Sequence, residues 1–176
     1  TVKRVVAKVE IQTTMTDAFR SKYGNGCIEI KKITLSKGAE KSYLIDQTAN
    51  NCATVSSSFT SAQDAYCDKT GASKTNAYKY NNLFYLNEKA AAAAGSRVKV
   101  LIDAIYDAAG NLSTTADQMP VTYETELTGA ADGKIARNGS YKVNAKLDGL
   151  TGQDVTLAVT VANWDALATQ DVNLGQ

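Results

Sequence analysis

The chain has 176 residues, room for one domain with a real core or at most two small ones. Apolar residues make up 44% and charged residues 21%, a globular balance that excludes a disordered chain. Net charge is +1, no basic stripe is interleaved with aromatics, and no run of about 18 apolar residues occurs, so nucleic acid and a membrane-spanning helix are both disfavoured.

The opening TVKRVVAKVEI is already strand-like and shows no signal peptide, so a processed or trimmed chain is expected. Val5, Ala7, Val9 and Ile11 alternate with Val6, Lys8 and Glu10, a half-buried strand. After the turn-rich YGNG of residues 23–26, Ile28 and Ile30 lie in one phase and Ile33 and Leu35 in the other. A β-bulge at Lys31–Lys32 would restore one buried face. SKGAEKS reads as a hairpin turn and SYLI, residues 42–45, as its return strand.

Residues 46–77 are rich in Thr, Ser, Ala and Asn. They read as a long excursion with a short helical turn near 61–66, and so long a loop is usually functional or mobile. Order resumes at residues 78–86, YKYNNLFYL. In NEKAAAAAGS, alanine propensity predicts a short helix capped by Asn87 and ended by Gly95. RVKVLIDAIY (97–106) alternates as a strand, DAAGN turns the chain, and Pro120 stands at the start of VTYETEL, an allowed strand position. YKVNAKL (141–147) and VTLAVTV (155–161) alternate again. About eight strands without helices between them predict an all-β, antiparallel Greek-key sandwich with one or two short helices. Its expected core includes Val5, Val9, Ile30, Val100, Ile102, Tyr141, Val143, Val159 and Trp164.

There are three cysteines and no histidine. A Cys52–Cys67 disulfide would close the segment between them in an oxidising compartment; the alternative is ordinary thiols. Cys27 is expected to pack as a small apolar residue. Without histidine, Ser-His-Asp and Cys-His catalysis cannot be built, and no CxxC, P-loop or GxGxxG spacing occurs. Glu124 and Glu126 share a strand face, with Asp165 and Asp171 further on, but acids at alternate strand positions read as a solvated face rather than a glycosidase pair. No strand pair singles out the buried Lys/Asn/acid trio of an internal isopeptide bond. No catalytic, cofactor or metal site is expected.

The order of several pieces carries a resemblance: VKRVVAKVEI, NNLFYLNE, RVKVLIDAIYD, KIARNGSYKVNAKLDG and LAVTVANWDALATQDVNLG. The most specific are Arg137-Asn138 followed by Tyr141, and the closing V-x-x-W with a polar tail. Together they resemble the Bacteroidetes fimbrillins, the type V pilins, over nearly the whole chain and over the C-terminal half of a family member only. The resemblance implies a transthyretin-like β-sandwich, residues 1–176 forming one domain, with another sandwich domain ahead of it in family members. It implies export as a lipoprotein precursor, a protease cut after arginine in the missing half, and a cell-surface fimbria built with other fimbrial subunits, supporting adhesion and biofilm formation. No cofactor is implied.

The tail, residues 165–176, gains a role from this. A strand past the last core strand has unpaired backbone groups, and a neighbour's groove can supply both hydrogen bonds and pockets. Leu167, Val172, Asn173 and Leu174 are expected to form that polymerisation strand, with Trp164 as the hinge. In the competing arrangement, residues 166–176 are an edge strand of their own sheet. The alternative function is an accessory or tip subunit that binds a host protein or glycan through residues 46–77.

Overall fold

The computed structural model describes residues 4–24, 26–39, 42, 54–69, 82–110, 115–128, 133–152 and 154–163. Eight strands and one helix follow in the order β1 (Val6–Met15), α1 (Asp17–Tyr23), β2 (Cys27–Ala39), β3 (Thr54–Lys69), β4 (Asn82–Asn87), β5 (Lys99–Asp107), β6 (Gln118–Glu126), β7 (Gly139–Leu147) and β8 (Val155–Asn163). They make two four-stranded sheets, ordered β4-β1-β7-β8 and β3-β2-β5-β6. One core joins them: Val9, Ile11, Tyr141 and Val143 of the first sheet meet Ile33, Leu35, Val100 and Ile102 of the second. The expected all-β sandwich is therefore present, with one short helix.

Alternation builds each layer. In β1 every second residue from Ala7 to Met15 is buried, so its polar partners face out. Val5, expected in the core, falls in the same phase but lies before the strand and is half-buried. The slip at Lys31 is a bulge, because the register of β2 shifts between Ile30 and Lys32 against both β3 and β5. Ile28, Ile30, Ile33 and Leu35 are all buried as a result, and both lysines stay exposed. β1 runs parallel to β7, with Val9 beside Tyr141 and Ile11 beside Val143, an exception to the antiparallel expectation. Val143 is 1% exposed. Val143→Ala should cost about 1–3 kcal/mol through the cavity it leaves. A denaturant midpoint that moves no further than in a surface control would count against this packing.

Three segments differ from expectation. The alanine run after Asn87 is not a helix. Lys89 exchanges two backbone hydrogen bonds with Ile135 (2.9 and 3.0 Å), Glu88 is held by Arg137, and the Asn87 side chain donates to the Ala39 carbonyl. A helix this short is marginal in water, so tertiary bonds override alanine's propensity. The helical turn expected at 61–66 is part of β3, which pairs with β2 along its length and supplies its own order. β3 is thus the partner strand of β2. Of the expected return strand 42–45, only Ser42 is among the described residues.

The third difference is α1, unforeseen although Thr16, Asp17, Arg20, Lys22 and Gly24 form a full set of cap signals. Thr16 Oγ1 accepts the Phe19 N–H at 3.2 Å, while Thr16 N–H donates to the Leu147 carbonyl at 3.1 Å. Gly24 ends the helix at φ 57, where a side chain would be strained. Phe19 is fully buried and stacks with Tyr23 (4.6 Å) and Tyr106 (6.3 Å), closing that end of the sandwich.

Of the expected Cys52–Cys67 pair, Cys67 lies in β3 and Cys52 lies outside the described residues. β3 is extended from Thr54 through Cys67, which separates its two ends by roughly 40 Å at about 3.3 Å per residue. Cys27 is fully buried as expected, but it is disulfide-bonded rather than a free thiol.

Candidate assembly surface

The motif Arg137-Asn138 with Tyr141 becomes a structural clasp. Arg137 Nε donates to Glu88 Oε2 at 2.9 Å, its second nitrogen pairs with Oε1, and Ser42 Oγ donates to the same oxygen at 2.7 Å. Both charged side chains are under a tenth exposed. Arg137 and Ser42 together hold the Glu88 carboxyl below its usual value, against the pull of burial. Asn138 takes φ 57, which Asn tolerates better than most residues, and its N–H donates to Val6 O at 3.1 Å. Tyr141 is buried, and its hydroxyl accepts the Ala136 N–H at 2.7 Å; burial pushes that phenol up. At Gly139 a Cβ would stand 2.6 Å from the Tyr141 ring, so only glycine fits there. The clasp joins Ser42, Glu88, the start of β1 and the segment 136–141. Its role is to fix the end of the sandwich.

The opposite case is β8. Among the described residues it pairs only with β7, which makes it the outermost described strand of its sheet. Its inner residues lie directly opposite buried ones: Val155 opposite Leu147, Leu157 opposite Ala145, Val159 opposite Val143, Val161 opposite Tyr141. All four β7 residues are 1% exposed or less. Along β8 the cover fails progressively. Val155 is 9% exposed, Leu157 and Val159 are half-buried, and Val161 is 43% exposed. Val159, expected in the core, therefore sits at the core's margin.

The gap lies between the two sheets. A cleft of about 610 Å³ runs from β6 to β8, lined by Lys37, Lys99, Thr125, Glu126 and Val155–Leu157 among others. At one end the 148–154 turn closes it: Tyr123 Oη donates to Gly149 O (2.8 Å) and Glu124 N–H to Gly152 O (3.0 Å). Elsewhere the rim satisfies itself. Lys99 pairs with Glu124, Lys37 Nζ donates to the Gly95 carbonyl, and the Gly95 N–H donates to Glu126 at 2.6 Å. Glu124 and Glu126 are thus rim groups, as the solvated-face reading expected. A rim already paired offers little to a charged small molecule. An extended segment would find both edge hydrogen bonds and an apolar stripe.

No protein-family model matches the sequence, and no curated protein matches it. Solved structures do match the fold. A cell-adhesion-assigned protein of Parabacteroides distasonis superposes with a TM-score of 0.65 at 13% identity, over 92% of this chain and 52% of its own. A similarly assigned protein of Bacteroides eggerthii gives 0.55 at 16%, over 92% and 56%. A fimbrilin of Porphyromonas gingivalis gives 0.54 at 16%, over 92% and 58%. The chain has the fimbrillin fold. It spans a little over half the length of these fimbrial and adhesion structures.

Within that fimbrillin fold, the expected tail residues Leu167, Val172, Asn173 and Leu174, and the expected hinge Trp164, lie outside the described residues. So do Cys52, Asp165 and Asp171, and residues 46–53 and 70–77 of the expected binding segment. The described middle of that segment is strand β3. The apolar stripe of β8 was missed as a surface because alternation reports which residues share a face, not whether a facing layer covers it. Among the described residues no helix is long and apolar enough to cross a membrane, and no cluster of acidic or sulfur ligands could hold a metal ion.

Proposed function

We propose that this chain is the C-terminal β-sandwich of a structural fimbrial subunit on the cell surface, which polymerises with other subunits by strand exchange through residues 165–176. The observation that carries the reading is the fold it shares with a fimbrilin and with adhesion-assigned proteins. The coverage of about half of each supports a further domain in the whole subunit.

Two features support strand exchange in particular. Among the described residues the first sheet ends on a strand that is paired on one side and carries a half-covered stripe, which supports the addition of a further strand. The sequence then runs on past Asn163, and Val172 and Leu174 alternate with polar residues, the pattern of a strand that buries one face. Such a strand gains main-chain bonds from a partner's edge and specificity from pockets for alternate side chains.

The test is the double substitution Val172→Asp with Leu174→Asp in the full subunit. It keeps the backbone and places two charges where apolar pockets are expected. Electron microscopy should show no fibres under conditions where the parent chain assembles. Fibres of normal length and number would overturn the strand-exchange reading.

A further inference from the structure

We propose that Cys27 is bonded to Cys67, a covalent tie across β2 and β3 that leaves Cys52 as the remaining thiol. Cys27 is fully buried and disulfide-bonded, and the chain has only Cys52 and Cys67 to offer as partners. The strand register separates them. Cys27 stands opposite Lys69, and Glu29 stands opposite Cys67. Cys67 is therefore one diagonal step from Cys27. Opposite residues share a face, and so do residues two apart on one strand, so Cys27 and Cys67 belong to the same face.

The distances decide between the candidates. A diagonal neighbour lies about 7–8 Å away between Cα atoms in a flat ladder, and strand twist shortens one of the two diagonals. A disulfide spans about 4.4–6.8 Å. The remaining step is small, and it falls where the ladder ends, since Cys27 is the first residue of β2 and Lys69 the last of β3. Cys52 belongs to the other end. Thr54 pairs with Ala39, at the far end of β2, roughly 40 Å from Cys27 at about 3.3 Å per residue. The two residue steps from Thr54 back to Cys52 recover at most about 7 Å of that.

Forming the bond removes one hydrogen from each thiol. The two electrons and, by way of solvent, the two protons pass to a disulfide oxidant such as oxidised glutathione, whose own S–S bond is reduced to two thiols. The chain would therefore complete its fold where thiols are oxidised, outside the reducing cytosol. The tie also gives β3 two unlike ends. Its Thr54 end meets β2 through shifted register at Gly38 and Ala39, while its Lys69 end is closed covalently. An edge strand held this way cannot peel from the Lys69 end. The inference does not depend on the fimbrial reading.

The experiment is a disulfide map of the chain folded in a glutathione redox buffer, alkylated without reduction, and cut with trypsin and an Asp-specific protease. These cuts place Cys27 in fragment 23–31, Cys67 in fragment 64–67 and Cys52 in fragment 46–63. The expected spectrum holds 23–31 linked to 64–67, lost on reduction, with the Cys52 fragment alkylated. Cys52→Ser should keep the link, and Cys67→Ser should leave Cys27 open to alkylation in denaturant. If Cys67→Ser does not fold, the parent and Cys52→Ser maps still decide. A link from 23–31 to 46–63, a link from 46–63 to 64–67, or three alkylated thiols in the folded chain would each overturn the proposal.

Discussion

Arg137→Ala should destabilise the domain by about 3 kcal/mol, more than most single substitutions do, because it strands the Glu88 carboxylate with burial on every side and its main counter-charge gone. The Ser42 hydroxyl would remain, but it offers one neutral hydrogen bond where Arg137 gave two charged ones. The partner's fate makes the prediction specific. Removing the acid as well, in Arg137→Met with Glu88→Met, should recover most of the loss, since a buried ion pair gains little over well-packed apolar groups.

The same pair sets an acid limb. In the folded parent chain the Glu88 carboxyl sits below its ordinary 4.5, so its contribution is fully present above that value and is lost as pH falls through the lower, folded one. In Arg137→Ala the sign reverses. Burial, then opposed only by the Ser42 hydroxyl and the Lys134 charge, raises the carboxyl, the folded state takes up the proton more readily, and acid relieves the defect. Urea midpoints measured at neutral pH and again below the usual glutamate range should show the gap between parent and variant narrowing in acid. A gap that stays constant or widens would mean that Glu88 and Arg137 are not a buried pair.

Deleting residues 166–176 from the full subunit should abolish fibre assembly and leave the melting temperature nearly unchanged. Under strand exchange, the hydrogen bonds and pockets of Val172 and Leu174 are made in the neighbour, so the isolated subunit loses nothing by their removal. The β8 stripe sharpens this test. Leu157, Val159 and Val161 form a partly exposed face on a strand that pairs, among the described residues, with β7 alone, and a strand laid along its other edge would cover them. Were that the arrangement, deletion would expose apolar area and unpaired backbone, and the melting temperature would fall together with assembly. Fibre yield and melting temperature therefore have to be read on the same preparation.

Much of this fold was legible because strand alternation is a local signal. β1, β5, β7 and the bulge at Lys31 could all be read from side chains two apart. What could not be read depends on distant partners. NEKAAAAAGS has helical propensity, but Arg137 and Ile135, some 46–49 residues away, decide its conformation. The Ser/Thr-rich stretch before Cys67 has few large apolar residues, and it becomes a strand because β2 offers a whole edge. Arg137, Asn138 and Tyr141 stood out as a family mark without a reason; the clasp around Glu88 supplies one. α1 is the real omission, since Thr16 and Gly24 announced both of its ends.

The parallel pairing of β1 with β7 has a consequence in time. β1 is an interior strand of its sheet, yet its neighbours are β4, which begins at Asn82, and β7, which ends at Leu147. As the chain emerges from a ribosome, β1 can pair with β4 once Asn87 is made, but its other edge waits for β7, which ends at Leu147. Loop closure over such separations is entropically costly, and topologies of this kind fold in milliseconds to seconds rather than microseconds. The late arrival of β7 thus acts as a built-in delay.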